Sequence, residues 1–239
     1  MGQRNKNAEI RVRSEELMER EIHKPFGYQP FYWLKWGAVA RIIERIQVPI
    51  GSKVLDLGCG AGWTSYMYAK SGYKVTGLDI VPLNIATAKR RFKQEGLKGA
   101  FNVGDIENFK LKTGFDLIMI FDALHHTDKQ LKVIENCYKH LRPGGWLIIG
   151  EPSLLHKFSK EARRVIREEG ILERGITIRS MRRDLKTVGF TGTFRLYEGT
   201  QPYFGKFKGF LWQLSRLIAG NFFFAPQASN WIVAQRPKE

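Results

Sequence analysis

The amino-acid sequence predicts an α/β fold, in which a mostly parallel sheet is covered by helices on both faces. From residue 53 onward, short apolar runs alternate with amphipathic stretches, and each run is apolar along most of its length. Strands that are buried on both faces have such mostly apolar sequences, and strand–helix alternation is typical of a parallel sheet. The composition agrees, because 43 % hydrophobic and 26 % charged residues are usual for a globular protein and exclude a disordered or collagen-like chain.

Residues 51–152 form the predicted core of the fold. Its strands are predicted at residues 53–57, 74–78, 100–103, 115–121 and 146–150, and its helices at residues 64–71, 83–94 and 128–141. Residues 142–145, Arg-Pro-Gly-Gly, are predicted to form a turn that stops the last of these helices and starts the next strand. Open sheets of this kind bind ligands outside the carboxyl ends of their strands, so we expect the site there.

Residues 1–50 are predicted to form a helical and aromatic lid segment. An amphipathic lead-in reaches residue 24, and residues 34–46 carry apolar side chains at helical spacing before Pro49. Between these two stretches, residues 26–36 are rich in aromatic side chains. We expect these aromatic side chains either to close over an active site or to be ordinary core.

A glycine-rich loop is the most informative motif in the sequence. The apolar run that ends at Leu57 leads into glycines at positions 58, 60 and 62 and then into a predicted helix. A dinucleotide fingerprint, G-x-G-x-x-G, fails here because its sixth position is Trp63. Asp56, beside the loop, would repel a pyrophosphate but suits a cationic ligand. S-adenosylmethionine carries an ammonium and a sulfonium and no phosphate, so the acid favours this cofactor over NAD.

Two further acids follow the next two predicted strands. Asp79 ends the second strand, about 20 residues after the glycine loop, where an acid can accept hydrogen bonds from both ribose hydroxyls. Asp105 follows the third strand, and its carboxylate can accept from an adenine amino group while Ile106 packs on the ring. Each acid alone is alternatively a solvated loop residue or a helix cap. Their recurrence at successive strand ends favours a shared ligand.

These motifs resemble the class I S-adenosylmethionine-dependent methyltransferases, especially the type 11 group that includes ubiquinone-biosynthesis-like enzymes. The resemblance covers residues 50–152 and rests on segments 54–62, 75–80, 104–107, 115–126 and 141–151. It implies a Rossmann-like seven-stranded sheet whose last strand is antiparallel. It also implies a set of cofactor-binding residues: Asp56, Gly58, Cys59, Gly60, Gly62, Asp79, Ile80, Asp105, Ile106 and Phe121.

Three residues after the fourth and fifth strands are the candidates for catalysis. His125 and His126 follow the fourth strand, where a histidine can accept a proton near neutral pH. Alternatively, either histidine packs against the following helix, caps it, or forms a shelf for the cofactor. Glu151, at the end of the fifth strand, is the other candidate base, or it anchors the turn before Pro152.

The expected function is methyl transfer to a small-molecule, glycan or lipid-linked acceptor at oxygen. No metal is expected, because Cys59 and Cys137 do not form a cluster of metal-ligand spacing with the histidines. An RNA methyltransferase is an alternative, although no target-base tetrapeptide follows the fourth strand. A third hypothesis is a non-catalytic S-adenosylmethionine-binding partner of a membrane or an assembly.

Residues 153–239 are expected to complete the sheet and to carry a basic, aromatic insertion on the acceptor side. The predicted elements are charged helical residues 155–175, a helix at 180–188, and strands at 193–197 and 230–234. Residues 151–239 contain 16 Lys and Arg against 8 acidic residues, half of the chain's net charge of +16. An amphipathic element at 206–224 is expected to contact an anionic membrane, or to pack on the core. Nucleic acid is the other partner that this charge allows.

The expected location is the cytoplasm, with peripheral contact at the inner face of the membrane. The first 20 residues are polar and contain no apolar signal core. Two cysteines in 239 residues suit a reducing compartment. Oligomeric state is left open by the sequence.

Overall fold

The computed structural model describes residues 2–27, 31–111, 114–152, 154–197 and 229–238. The predicted amphipathic element at 206–224 and the aromatic residue Tyr28 lie outside the described residues. Within the described residues, none of the helices combines the length and the apolar character that crossing a membrane requires.

The core of the fold is a seven-stranded sheet. Its strands are β1 (Lys53–Leu57), β2 (Lys74–Asp79), β3 (Gly99–Val103), β4 (Phe115–Phe121), β5 (Leu141–Pro152), β6 (Thr191–Tyr197) and β7 (Ser229–Gln235), in the order β3-β2-β1-β4-β5-β7-β6. The first five strands are parallel, whereas β7 is antiparallel to both β5 and β6. The predicted α/β class, the seven strands and the antiparallel last strand are therefore confirmed.

Eight α-helices accompany this sheet in the described residues. They are α1 (Gly2–Arg11), α2 (Glu15–Glu21), α3 (Phe31–Ile46), α4 (Trp63–Lys70), α5 (Pro82–Gln94), α6 (Gln130–His140), α7 (Lys160–Arg164) and α8 (Ile178–Val188). Neighbouring residues of β4 face opposite layers: Ile118 packs in the cluster that contains α6 and α8, and Met119 packs in the cluster that contains α3. Both faces of the sheet are thus buried, which explains why the strand was apolar without alternation.

Residues 142–145 were predicted as a turn between a helix and a strand, and this prediction is wrong. They lie inside β5 as a bulge, because Phe115 pairs with Leu141 whereas Leu117 pairs with Trp146. The chain beyond β7 holds this bulge in place, since the amide of Arg236 donates to the carbonyl of Gly145 at 2.9 Å. Backbone pairing across the sheet thus overrides the local turn preference of the Pro-Gly-Gly sequence.

The charged segment at 155–175 is only partly helical. Helix α7 continues into one π-helical turn, Val165–Glu169, and then ends. Gly170 has a φ of +72°, a left-handed conformation that glycine adopts readily and that commonly ends helices. Residues 170–177 then run as irregular chain towards the carboxyl ends of β4 and β5.

Candidate active site

The loop between β1 and α4 satisfies its own backbone amides. The amides of Gly58 and Cys59 both donate to the carbonyl of Leu78, at 2.8 and 3.1 Å. The amide of Gly60 donates to Asp79 Oδ2 at 2.8 Å. A loop that binds phosphate instead points its amides at the ligand. These three amides are committed within the protein, which supports a cofactor without a pyrophosphate.

Asp56 lies beneath this loop and not on a ligand surface. Its carboxylate is 1 % exposed, and Oδ2 accepts hydrogen bonds from the hydroxyls of Thr64 and Ser65 at 2.6 Å each. Burial raises the pKa of Asp56 to about 6, against the lowering effect of these hydroxyls. The carboxylate therefore lies at the N-terminal end of α4, where the helix dipole stabilises a negative charge. The prediction that Asp56 contacts the cofactor is not supported; the residue shapes the loop.

The glycines at 58, 60 and 62 differ in what surrounds them. A Cβ on Gly62 would lie 2.9 Å from Ala88 Cβ, and one on Gly58 would lie 2.4 Å from Ala123 Cβ. A Cβ on Gly60 would meet nothing within 4 Å. Gly62 is therefore required by packing and does not line the cavity. Gly60 instead leaves open space for a ligand to approach the backbone.

Asp79 connects β2 to the same loop and lines the cavity. Besides Gly60, it binds the amide of Val81 at 2.9 Å and the side-chain amide of Asn84 at 3.0 Å, both through Oδ1. Burial raises the pKa of Asp79, while these donors act in the opposite direction. Of about four acceptor positions on a carboxylate, three are filled, and the remaining one is on Oδ2. One ribose hydroxyl fits that position without loss of a protein contact.

Asp105 also lines the cavity, but a lysine from α1 reaches it. Lys6 Nζ lies 2.6 Å from Asp105 Oδ2 and 3.2 Å from Glu107 Oε2. Asp105 Oδ1 accepts from the amide of Glu107 at 2.9 Å, which fixes the turn after β3. Ile106 is 8 % exposed beside it. Of about four acceptor positions on this carboxylate, the Glu107 amide and the Lys6 ammonium fill two, so Asp105 can still accept from an adenine amino group, with Lys6 as a competing donor.

A cavity of about 190 Å³ opens at the carboxyl ends of β1, β2 and β4. The residues predicted from the sequence that line it are Gly58, Cys59, Gly60, Asp79, Ile80, Asp105, Ile106, Phe121 and His126. Asp56, Gly62, His125 and Glu151 are not among its lining residues. From the N-terminal segment, Lys6, Glu9, Arg13, Glu21, Lys24 and Tyr32 reach the cavity wall. This placement supports a lid in that segment.

His126 lines the cavity in a defined tautomeric form. Its Nδ1 lies 2.7 Å from the carbonyl oxygen of Leu172. A carbonyl can only accept, so Nδ1 carries the proton and Nε2 is the acceptor nitrogen of the neutral ring. Burial and the neighbouring His125 lower the pKa of His126 to about 4. The ring is therefore neutral at physiological pH.

His125 has the opposite character and lies below the cavity surface. Its Nδ1 is 2.7 Å from Glu151 Oε2, and its Nε2 is 3.3 Å from Glu173 Oε2. Burial opposes a charge on the ring, but these two carboxylates outweigh burial and hold the pKa of His125 well above its ordinary value. A histidine that keeps its proton cannot act as a base. The geometry does not support His125 as a catalytic base.

Glu151 anchors the backbone that carries the two histidines. It is fully buried, and its Oε1 accepts from the amides of Ala123 and Leu124 at 3.0 and 2.8 Å. Together with the contact to His125, these bonds occupy the carboxylate. Glu151 thus holds the turn after β4, and its position does not support a role as the base.

Glu173 was not identified from the sequence. It lies in the irregular chain after α7, 47 positions beyond His126, and no motif marks it. Its carboxylate, with His125 and His126, forms a group whose potential ligand atoms lie within 4.8 Å of one another, found among the described residues. Both nitrogens of His125 and Nδ1 of His126 already serve hydrogen bonds, so we interpret the group as a hydrogen-bond network.

Comparison with known proteins identifies similar methyltransferases. Residues 54–145 match the family model described as a methyltransferase domain. The chain is 31 % identical over 127 residues to the ubiquinone biosynthesis O-methyltransferase of Actinobacillus pleuropneumoniae serotype 7 (strain AP76). The match covers 51 % of this chain and 54 % of that relative, so the chain spans about half the length of the curated protein.

Solved structures share the fold at low sequence identity. The phosphoethanolamine N-methyltransferase 2 of Haemonchus contortus, in complex with phosphomonomethylethanolamine and S-adenosylhomocysteine, superposes with a TM-score of 0.70 at 17 % identity, covering 98 % of this chain and 60 % of that one. The [4+2]-cyclase SpnF gives 0.61 at 18 % identity, covering 84 % and 80 %. Because these two neighbours are named for different reactions, the likeness supports the fold alone.

The sheet order, the glycine loop and the match of residues 54–145 to a methyltransferase domain agree with the class I S-adenosylmethionine-dependent methyltransferases. The resemblance found in the sequence is thereby confirmed. Within that class, the chain is similar in sequence to the ubiquinone biosynthesis O-methyltransferases.

Proposed function

We propose that this chain transfers the methyl group of S-adenosylmethionine to an oxygen atom of a small-molecule acceptor. The observation that carries the proposal is the placement of His126, neutral and protonated on Nδ1, in the same cavity as Asp79 and Asp105. The acids that we assign to the ribose and to the adenine thus share one cavity with the candidate base. The names of the curated relatives support oxygen as the methylated atom.

The residues of the cavity fit the cofactor in three parts. Asp79 Oδ2 has an acceptor position for a ribose hydroxyl, and Gly60 leaves room beside the loop. Asp105 and Ile106 offer an acceptor and an apolar face for adenine. Bound there, S-adenosylmethionine supplies an electrophilic methyl group on its sulfonium. The protein's part is to hold acceptor and cofactor in line, which alone contributes much of such a rate.

His126 provides the base for an acceptor hydroxyl. The carbonyl of Leu172 holds the proton on Nδ1, so Nε2 is the nitrogen that accepts the proton of the hydroxyl as its oxygen takes the methyl group. A pKa near 4 means that the ring is unprotonated and ready to accept at neutral pH. The driving force for proton transfer to so weak a base is small, so we assign most of the rate to the alignment of acceptor and cofactor.

Aromatic side chains also line the cavity. Trp63 packs edge-on against both Tyr32 and Phe121, with ring centroids 5.5 and 5.6 Å apart. This wall favours an acceptor that presents an apolar ring beside its hydroxyl. Glycan and lipid-linked acceptors, and contact with an anionic membrane, stay predictions from the basic C-terminal sequence, since residues 206–224 lie outside the described part of the chain.

The test is S-adenosylhomocysteine formation with a panel of acceptors. Phenol-bearing small molecules, their polyprenylated forms, oligosaccharides and total RNA are each incubated with protein and S-adenosylmethionine. The proposal predicts turnover with a hydroxyl-bearing small molecule and a methyl ether as the product. Methylated RNA, or cofactor binding without turnover of any acceptor in the panel, would contradict it.

A further inference from the structure

Residues 172–174, which we call the strap, contact both histidines of the site. The carbonyl of Leu172 accepts from His126 Nδ1 at 2.7 Å, and Glu173 Oε2 lies 3.3 Å from His125 Nε2. The amide of Arg174 donates to the carbonyl of His125 at 3.3 Å. Three consecutive residues thus bind the ring of one histidine and both the ring and the backbone of the other.

The strap is itself fixed at both ends and at its centre. Ile171 and Ile176 are buried, 5 and 3 % exposed, on either side of it. A guanidinium nitrogen of Arg174 donates to the carbonyl of Asp128 at 3.2 Å. Glu173 Oε2 also lies 3.0 Å from His156 Nε2. A carboxylate shared by two imidazoles has few alternative orientations, so Glu173 determines where the neighbouring Leu172 carbonyl points.

We propose that Glu173 is a positioning residue for His126: by binding His125 and His156 it holds the strap so that the Leu172 carbonyl keeps the proton of His126 on Nδ1. This inference rests on the proposed function, in which Nε2 of His126 receives the acceptor's proton. The neutral ring has two tautomers, and only the one with Nδ1 protonated has its acceptor lone pair on Nε2. Glu173 makes that tautomer the stable one without touching the acceptor.

The charges around His126 are consistent with this role. His125, charged between Glu151 and Glu173, disfavours a second proton on the adjacent ring, whereas Glu173 and Asp122 favour one. Glu9, from α1, also faces this group and interacts with His125 and Glu173. Where the surroundings push the pKa values of two neighbouring titratable groups apart, one group carries the charge and the other is available as the base.

The experiment is long-range ¹H–¹⁵N correlation spectroscopy of the histidine-labelled full chain, which reports tautomer and charge for each imidazole. The chain has five histidines, and single His→Gln variants assign their signals. Wild type is compared with Glu173→Gln, with Glu173→Asp as the conservative variant, and with Glu168→Gln as the matched control. Glu168 is a half-exposed acid five residues away, paired with Arg164 and Arg167. S-adenosylhomocysteine is titrated into every sample.

The expected wild-type result is His126 neutral with Nδ1 protonated, beside a His125 that stays charged well above pH 6.5. In Glu173→Gln we expect a mixture of tautomers at His126, and we expect His125 to lose its proton at a lower pH than in wild type. Glu173→Asp should partly restore the wild-type signals. Glu168→Gln should show none of these changes. Unchanged signals in Glu173→Gln, or an Nε2-protonated His126 in wild type, would overturn the inference. Failure of wild type to bind S-adenosylhomocysteine would instead contradict the proposed function.

Discussion

The backbone amide of Gly60 donates a hydrogen bond to Asp79 Oδ2 at 2.8 Å, and this bond joins the glycine loop after β1 to the acid at the end of β2. Because parallel strands end at the same edge of the sheet, the two motifs meet although 19 positions separate them. The bond uses an amide that a phosphate-binding loop would offer to its ligand. It therefore both positions Asp79 for a ribose and argues against a pyrophosphate in the loop.

The glycines of the loop have separable roles. Gly62→Ala places a methyl group 2.9 Å from Ala88 Cβ in a left-handed backbone conformation, so we expect a loss of about 2–5 kcal/mol in the free energy of unfolding. Gly60→Ala meets no protein atom within 4 Å and should lose only about 1–2 kcal/mol, from its own left-handed conformation. Urea unfolding measures both. Gly60→Ala should instead bind S-adenosylhomocysteine about tenfold or more weakly; equal affinity to wild type would place the ligand away from Gly60.

Lys6 competes with the cofactor for Asp105. Its ammonium lies 2.6 Å from the carboxylate that we assign to adenine, so it competes with the adenine amino group as a donor to that carboxylate. Lys6→Ala should therefore bind S-adenosylhomocysteine roughly two- to fivefold more tightly, the range expected for loss of a partly exposed ion pair. Lys6→Arg keeps the charge and is the matched control. Calorimetric titration measures the affinity, and weaker binding by Lys6→Ala would show that α1 supports the bound state.

The docking of α1 depends on pH through Glu9. Burial, then the nearby Asp79, raises the pKa of Glu9 from its ordinary 4.5 to about 7, while Arg13 lowers it. An acid whose pKa is raised on folding stabilises the folded state below its unfolded pKa, and this contribution is lost as pH rises through the folded pKa. We therefore expect α1 to open more readily as pH rises from 4.5 to 7, on the order of a hundredfold.

Hydrogen–deuterium exchange over residues 2–11 measures this opening, after correction for the intrinsic pH dependence of exchange. Glu9→Gln removes the titrating group and should make the corrected exchange of α1 independent of pH in this window. A wild-type helix whose protection is constant from pH 4.5 to 7 would show that Glu9 does not control docking.

Loss of His126 should reduce turnover without loss of cofactor binding. Removal of a general base costs typically about 10²- to 10⁴-fold in rate, and we expect the lower part of that range because the pKa of His126 is only about 4. His126→Asn is compared with His23→Asn, which changes an exposed histidine of the N-terminal segment. Initial rates with the acceptor found in the panel, and S-adenosylhomocysteine affinity, are measured together. Wild-type turnover in His126→Asn would exclude the base assignment.

The sequence predicts the core strands closely because each is a short, mostly apolar run between helical or turn segments. Predicted and observed bounds agree for β1 and β4 and differ by one residue at one end for β2 and β3. Asp79 and His126 are also predictable, since both follow such a run and strand ends converge. Residues 142–145 are different: their Pro-Gly-Gly sequence favours a turn locally, and only pairing with the chain after β7 makes them part of β5.

The roles within the site depend on contacts that no sequence spacing encodes. Asp56 is an acid beside a glycine loop, but the hydroxyls of Thr64 and Ser65 take its carboxylate away from the ligand. His125 and His126 are adjacent and equivalent in sequence, and only their different partners separate a charged ring from a neutral one. Lys6 lies 99 positions from Asp105, so their contact follows from the packing of α1 alone.

The measurement that tests the central claim most directly is calorimetric titration of the chain with S-adenosylmethionine and, separately, with NAD. The arrangement of Asp56, Gly60 and Asp79 predicts binding of S-adenosylmethionine in the micromolar range and none of NAD. Asp79→Asn should weaken binding about tenfold or more, because it removes the charge that accepts the ribose hydroxyl, whereas Glu44→Gln, an exposed acid on α3, should not. Binding of NAD in place of S-adenosylmethionine, or wild-type affinity in Asp79→Asn, would contradict the account.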